Sequence, residues 1–140
     1  MIRYYQTIHQ IITSGHWITS SVNKELKEFG MTEPQYNVLR ILKGAKGKPL
    51  TGQEIQANMV QQNSNVTRII DKLIKLGYVQ RQACPSNRRK LDITIQKEGL
   101  IILEKLDQKV HQFHQPMTEN LTKEELVTLK RLIQRLTKNS

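Results

Sequence analysis

Cysteine is almost missing: Cys84 is the only one in 140 residues. A single thiol cannot close an internal disulfide or anchor a zinc cluster of the multi-cysteine kind, so the fold must be held by packing. Long apolar runs are missing as well. No stretch approaches the roughly 18 apolar residues of a membrane-spanning helix, and the opening MIRYYQTIHQ lacks the apolar stretch of a secretory signal. Both absences predict a cytoplasmic chain with no membrane partner. Acidic residues are scarce, 12 Asp and Glu against 22 Lys and Arg, for a formal charge of +10. That surplus makes a polyanion the first partner to consider. Signatures of catalysis are lacking too. There is no Gly-rich phosphate loop, no pairing of nucleophile with base and no acidic pair in an evident cleft, so neither an enzyme nor a cofactor is expected. Internal repeats, low-complexity tracts and flexible linkers are also absent, and the length suits a single domain with a real core.

What is present is helical punctuation. Tyr4, Ile8, Ile11, Ile12, Ile18, Val22, Leu26 and Phe29 recur at spacings of three and four, predicting a long amphipathic helix over 2–29 stopped by Gly30. In MTEPQY, Thr32 and Gln35 have the spacing of a capping box and Met31 can staple onto Tyr36, which starts a helix over about 33–43. The same arrangement recurs in LTGQEI (Thr51 with Glu54, Leu50 against Ile55) and in LTKEEL (Thr122 with Glu125, Leu121 against Leu126). Between the first two boxes, GAKGKP at 44–49 supplies a sharp turn.

Val66, Ile69, Ile70, Leu73 and Leu76 then form one apolar stripe closed by Gly77. After it the period changes. Residues 78–82 read as a short strand, and KLDITI at 90–95 alternates, with Leu91, Ile93 and Ile95 on one face. The seven residues ACPSNRR join them around a turn containing Pro85, Ser86 and Asn87, a hairpin with a basic tip. Beyond Gly99, Leu103, Leu106, Val110 and Phe113 mark a second long helix with Pro116 at its expected end, and Leu126, Leu129, Leu132, Ile133 and Leu136 mark a last one.

Two consecutive short helices followed by a basic hairpin suit duplex DNA, one helix entering the major groove and a ribbon taking the backbone or minor groove. With the Val66–Leu76 stripe buried, Gln61, Ser64, Asn65, Arg68, Lys72 and Lys75 are expected to face outward together. Amide and guanidinium groups can pair with base edges, while Lys, Ser and Thr serve phosphates. A merely solvated helix face would have the same composition. The basic hairpin and the net charge favour the DNA reading.

The chain resembles the MarR family of winged-helix transcriptional regulators, named for multiple antibiotic resistance. The resemblance lies in MTEPQYNVLRIL (31–42), LTGQEIQANM (50–59), VTRIIDKLIKLGYVQR (66–81), NRRKLDITI (87–95) and LTKEELVTLKRLIQRL (121–136), in this order and spacing. It implies a mainly α fold with a small β-hairpin wing, one MarR-like chain over 1–140. Within it, 31–97 would be the winged helix-turn-helix lobe, and 1–30 with 98–140 the helical dimerisation region. It further implies a homodimer on a near-palindromic operator, a recognition helix within 62–76 and a wing arginine in the minor groove, Arg88 or Arg89. The expected DNA-binding set is Gln61, Gln62, Asn63, Ser64, Asn65, Thr67, Arg68, Lys72, Lys75, Arg88, Arg89 and Lys90. The wing departs from the family's usual Asp-x-x-Asp-Arg-Arg: Cys84-Pro85-Ser86-Asn87-Arg88-Arg89 has lost both acids, so no charge there holds an arginine. A repressor released by a small-molecule effector is the family pattern.

Weaker signals point elsewhere. Arg81, Arg88 and Arg89 near Cys84 could lower its thiol pKa and make it redox-active. His111 and His114, one turn apart, could meet His9 or His16 around a metal, though ordinary helix histidines explain them better and no metal is expected. Trp17, Tyr4, Tyr5, Tyr36 and Phe113 could line an effector pocket, but core packing is simpler. The rival functions are a protein-interaction adaptor and a non-specific nucleic-acid-binding module, each using the same basic face.

Overall fold

The computed structural model describes residues 2–138, as six α-helices and one two-stranded antiparallel sheet. Helix α1 spans Ile2–Leu26 and tightens into a 3-10 turn at Lys27–Phe29, ending at Gly30 with φ of 68°. A left-handed residue there costs glycine nothing and closes the last turn, so the helix expected over 2–29 finishes one tight turn early as an α-helix. Helices α2 (Glu33–Gly44), α3 (Gly52–Asn58) and α6 (Lys123–Thr137) each open on the expected capping box. The Thr32, Thr51 and Thr122 hydroxyls accept the N–H of Gln35, Glu54 and Glu125, whose side chains accept the N–H of the cap in return. Helix α4 spans Val66–Lys75, inside the 62–76 that the resemblance implies for the recognition helix. Its start is set locally: Asn65 takes the N-cap, its Oδ1 accepting the Arg68 N–H at 3.1 Å, and the residues before it form a loop.

Strands β1 (Val79–Cys84) and β2 (Asn87–Ile95) pair from Val79 opposite Ile95 to Ala83 opposite Leu91, with an irregularity between Ala83 and Cys84. They absorb most of ACPSNRR, expected to be a seven-residue connection, and leave Pro85 and Ser86 as the turn. Tyr78 lies outside the ladder. Asn87 Oδ1 accepts the Arg89 N–H at 3.0 Å, which braces the tip. Leu50 adds one isolated antiparallel bridge to β2, exchanging both backbone hydrogen bonds with Ile93. Of the expected apolar face, Ile93 is buried and Ile95 half-buried, but Leu91 is exposed, because it lies farther out along the hairpin than Ile93, the residue at the rung with Leu50. Helix α5 (Lys97–Thr118) runs through Pro116 instead of ending there. In the last turn a proline forfeits one donor only, and the Glu119 N–H still reaches the Gln115 carbonyl at 3.1 Å.

The core gathers one face from each of five helices and the sheet. Leu26, Leu39, Ile55, Leu73, Ile93, Leu103 and Leu106 are essentially inaccessible, and each such side chain contributes about 1.5–3 kcal/mol over an exposed one. Helix α5 seats against the start of the hairpin at Gly99, where a Cβ would stand 2.2 Å from the Tyr78 carbonyl oxygen. A polar tie joins α2 to α5: Tyr36 Oη donates to Asp107 Oδ1 at 2.7 Å and Arg40 donates to the same oxygen at 3.1 Å. Burial, and after it the Asp107 carboxylate, push the Tyr36 hydroxyl well above its ordinary range, so it remains a donor at any physiological pH. Helix α6 buries nothing: Val127, Leu129, Leu132, Ile133 and Leu136 are all exposed.

Candidate nucleic-acid interface

Helix α4 has the sharpest division of faces in the chain. Val66, Ile70 and Leu73 are sunk in the core, while Thr67, Arg68, Lys72 and Lys75 stand exposed on the other side. Beside it the hairpin presents Arg88, Arg89 and Lys90, all exposed. Between them lies a groove of about 480 Å³, bounded by the first turn of α3, α4 and β2, whose walls include Thr67, Arg81, Arg89 and Lys90. Arg88 does not line this groove, so the two wing arginines are not equivalent.

The residues before α4 belong to a loop. Gln61, Gln62, Asn63 and Asn65 are exposed and Ser64 is half-buried. Gln61 turns its amide towards α2 and donates to Glu33 Oε2 at 2.9 Å, and Asn65 is occupied as the cap of α4. Each amide keeps capacity to spare, since Gln61 uses one N–H and Asn65 its oxygen, and both residues remain exposed. The loop is held on other sides too. The Val60 N–H donates to Asn37 Oδ1 at 2.8 Å, and Gln56 Nε2 donates to the Gln62 carbonyl and, at 3.0 Å, to that of Ser64. Sequence reasoning missed Gln53 and Gln56, one turn apart on α3 with the groove, and Arg81, held by Asp71 of α4 at 2.8 Å. The Arg81 signal was present, a cation following the α4 acid by ten positions across a glycine stop, but only the fold brings them together.

The electrostatics suit an anionic partner. Arg81, Arg89 and Lys90 of the hairpin border the groove, where their fields add, and Arg68, Lys72 and Lys75 stand exposed on α4 outside it. Cys84 is half-buried, and its thiol is drawn below the ordinary range by the Ser86 hydroxyl at 3.2 Å and by backbone N–H groups, not by the neighbouring arginines. Among the described residues no three His, Cys, Asp or Glu side chains gather as metal ligands. His114 instead lies 5.7 Å from the Phe113 ring, which in turn lies 5.6 Å from Trp17. No helix among these residues is long and apolar enough to cross a membrane.

A second, larger groove of about 1640 Å³ runs between α1, α2, the loop before α4 and α5. Its walls combine Ile11, Ile18, Ile69 and Val110 with His16, Arg40 and Arg68. Tyr36 and His114 also reach it, whereas Tyr4, Tyr5, Trp17 and Phe113 do not.

The sequence pattern of the MarR family matches residues 31–91, the segment from α2 to the outer part of β2. An uncharacterized HTH-type transcriptional regulator of Bacillus subtilis, YwoH, is 30% identical over 118 residues, covering 84% of this chain and 84% of that protein. The chain belongs to the MarR family. The multiple antibiotic resistance protein MarR of Escherichia coli is 29% identical over 116 residues, covering 82% of this chain and 79% of its own length. A mutant of that MarR crystallised with operator DNA superposes with a TM-score of 0.76 at 27% identity, over 97% of this chain and 94% of the other. MarR-family relatives are transcriptional regulators, and the mainly helical architecture with a hairpin wing is the family's winged-helix fold.

Proposed function

We propose that this MarR-family chain is a homodimeric repressor that reads a near-palindromic operator in cytoplasmic DNA and is released by a small molecule. The observation that carries the reading is the groove between α4 and the wing: exposed Thr67 of α4 lines it with Arg89 and Lys90, and the same helix carries Arg68, Lys72 and Lys75 exposed. In this reading α4 enters the major groove, where Arg68 takes a guanine edge or a phosphate, and Gln62, Asn63, Ser64 and Thr67 meet the backbone and bases near its start. Arg89 is favoured over Arg88 for the minor groove because it borders the cleft facing α4. The E. coli relative crystallised with operator DNA supports duplex DNA as the partner.

Dimerisation through 1–30 and 98–140, with 31–97 as the DNA-binding lobe, is supported by the unburied apolar side chains at the two ends of the chain. Tyr4, Tyr5, Ile12 and Trp17 of α1 and Val127, Leu132 and Leu136 of α6 are all at least 48% exposed. Exposed apolar side chains in such number seek a partner, and a second copy offers equal sets related by symmetry. The larger groove, an apolar cleft with a few polar groups between α1 and the loop before α4, has the character of an effector site. A ligand there would favour the conformation with the wrong lobe separation for DNA.

The test is the affinity for duplex DNA flanking the chain's own gene, measured against scrambled duplex and RNA across salt concentrations. A repressor prefers one palindromic duplex and weakens steeply with salt as counterions return to the phosphates. Equal binding to scrambled duplex or RNA supports the non-specific module instead, and no nucleic-acid binding supports the adaptor.

A further inference from the structure

Glu33 is the one charged side chain buried among the described residues, at 7% exposure. It sits in the first turn of α2, and its environment is anomalous in three respects. No described cation comes within salt-bridge distance of it. The one side-chain hydrogen bond to its carboxylate comes from Gln61, 28 positions away in the loop that leads into α4. Its own backbone N–H is held by Asn23 Oδ1 of α1 at 2.9 Å. Glu33 therefore joins the long first helix to the residues that set where α4 begins, through α1, α2 and the loop in turn.

A buried acid without a counter-ion is a poor choice for stability, since desolvation penalises the charged form and a neutral amide of the same size escapes that penalty. An ionised carboxylate does one thing a neutral acceptor does less well: it accepts a stronger, charge-assisted hydrogen bond. We propose that Glu33 is a positioning residue for DNA recognition, an ionised latch that holds Gln61, and with it the 59–65 loop and the start of α4, at a cost to the stability of the fold. This goes beyond the repressor reading and rests on it only where DNA affinity is concerned.

The titration of Glu33 agrees in sign. Burial raises its carboxyl above the ordinary carboxylate value, and the Gln61 hydrogen bond lowers it only in part. A raised folded-state pKa means that this group favours folding below its unfolded-state value, and that the benefit is lost as pH rises through the folded-state value. Above that value Glu33 works against stability while it holds the loop. The charged or titratable groups that share its groove are His16, Lys24 and Lys27 of the first helix and its terminal turn, Tyr36 and Arg40 of α2, Arg68 of α4 and His114 of α5. Asp107 of α5 lies behind Tyr36. Because other titratable groups face the same groove, only the difference between wild type and variant across pH isolates Glu33.

The decisive variant is Glu33→Gln, which keeps the size and an acceptor oxygen but removes the charge. At neutral pH the latch predicts that Tm moves up while amide hydrogen exchange in 59–65 speeds up by about fivefold, the difference between a charge-assisted and a neutral hydrogen bond. Affinity for the duplex flanking the gene should fall by a similar factor. Both differences should shrink as pH falls and Glu33 of the wild type takes up a proton. Gln61→Ala, which strands the carboxylate, should speed the same exchange but move Tm down. A merely structural Glu33 would make stability and loop protection fall together in Glu33→Gln, and that outcome overturns the latch. So does unchanged exchange in 59–65, or a wild type and variant that bind the duplex equally. Exchange is read on the free protein, so a wild type that prefers no duplex would count against the repressor reading while the latch is still decided.

Discussion

Helices α4 and α6 have the same amphipathic design and opposite fates. Both carry apolar residues at spacings of three and four with cations between them, yet α4 buries Val66, Ile70 and Leu73 while α6 buries nothing. The difference lies in their neighbours. Helix α4 lies against α2, α3 and the start of β1, which cover its stripe within one chain. Helix α6 follows the end of α5 and meets no such cover, so Leu129, Leu132 and Leu136 still face outward. An amphipathic pattern thus states that a face must be covered, and whether this chain or another does so depends on what folds beside it.

The comparison can be broken at four points, in decreasing order of effect. Leu73→Ala in α4 removes a fully buried side chain and should cost about 2–5 kcal/mol, seen as a lower Tm that does not depend on protein concentration. Replacing Leu132 of α6 by Glu should leave the chain folded by circular dichroism but weaken self-association by about 3 kcal/mol, since symmetry repeats the loss, and sedimentation at low concentration would read it. A folded monomer at every concentration in the wild type would remove the contrast between the two helices. On the exposed side of α4, Arg68→Ala should lower operator affinity by about 1–3 kcal/mol with Tm nearly unchanged. If it contacts phosphate instead of a base, the loss should be uniform across sequences and the salt dependence shallower by about one counterion. The smallest effect is expected for Thr122→Ala, which removes the α6 cap at a cost of about 1 kcal/mol. Thermal denaturation should then show that loss growing at concentrations where α6 is covered by a second copy.

Much of the helix-turn-helix was legible because its signals are local. Capping boxes span four residues and the α4 stripe eleven, so Thr32, Thr51 and Thr122 and the burial of Val66, Ile70 and Leu73 could be read directly. The wing was read too short because β-pairing depends on the partner strand, and Ala83 and Cys84 look like turn residues until Leu91 and Asn87 lie opposite them. Gln61 meets a related limit. Helical spacing assumes that the helix has already begun, but Asn65 starts α4 four residues later, and Gln61, still exposed, turns an amide N–H towards Glu33.

Sequence by itself determined the excess of cations, which is composition alone, and the helical periods, caps and glycine stops, which are set by interactions between residues a few positions apart. Tertiary structure alone decided that Glu33 meets Gln61, that Tyr36 meets Asp107 71 positions on, that Asp71 holds Arg81 and that Arg89 but not Arg88 borders the groove. Those pairings join elements whose relative placement follows from how whole faces pack, and no short-range pattern encodes that placement.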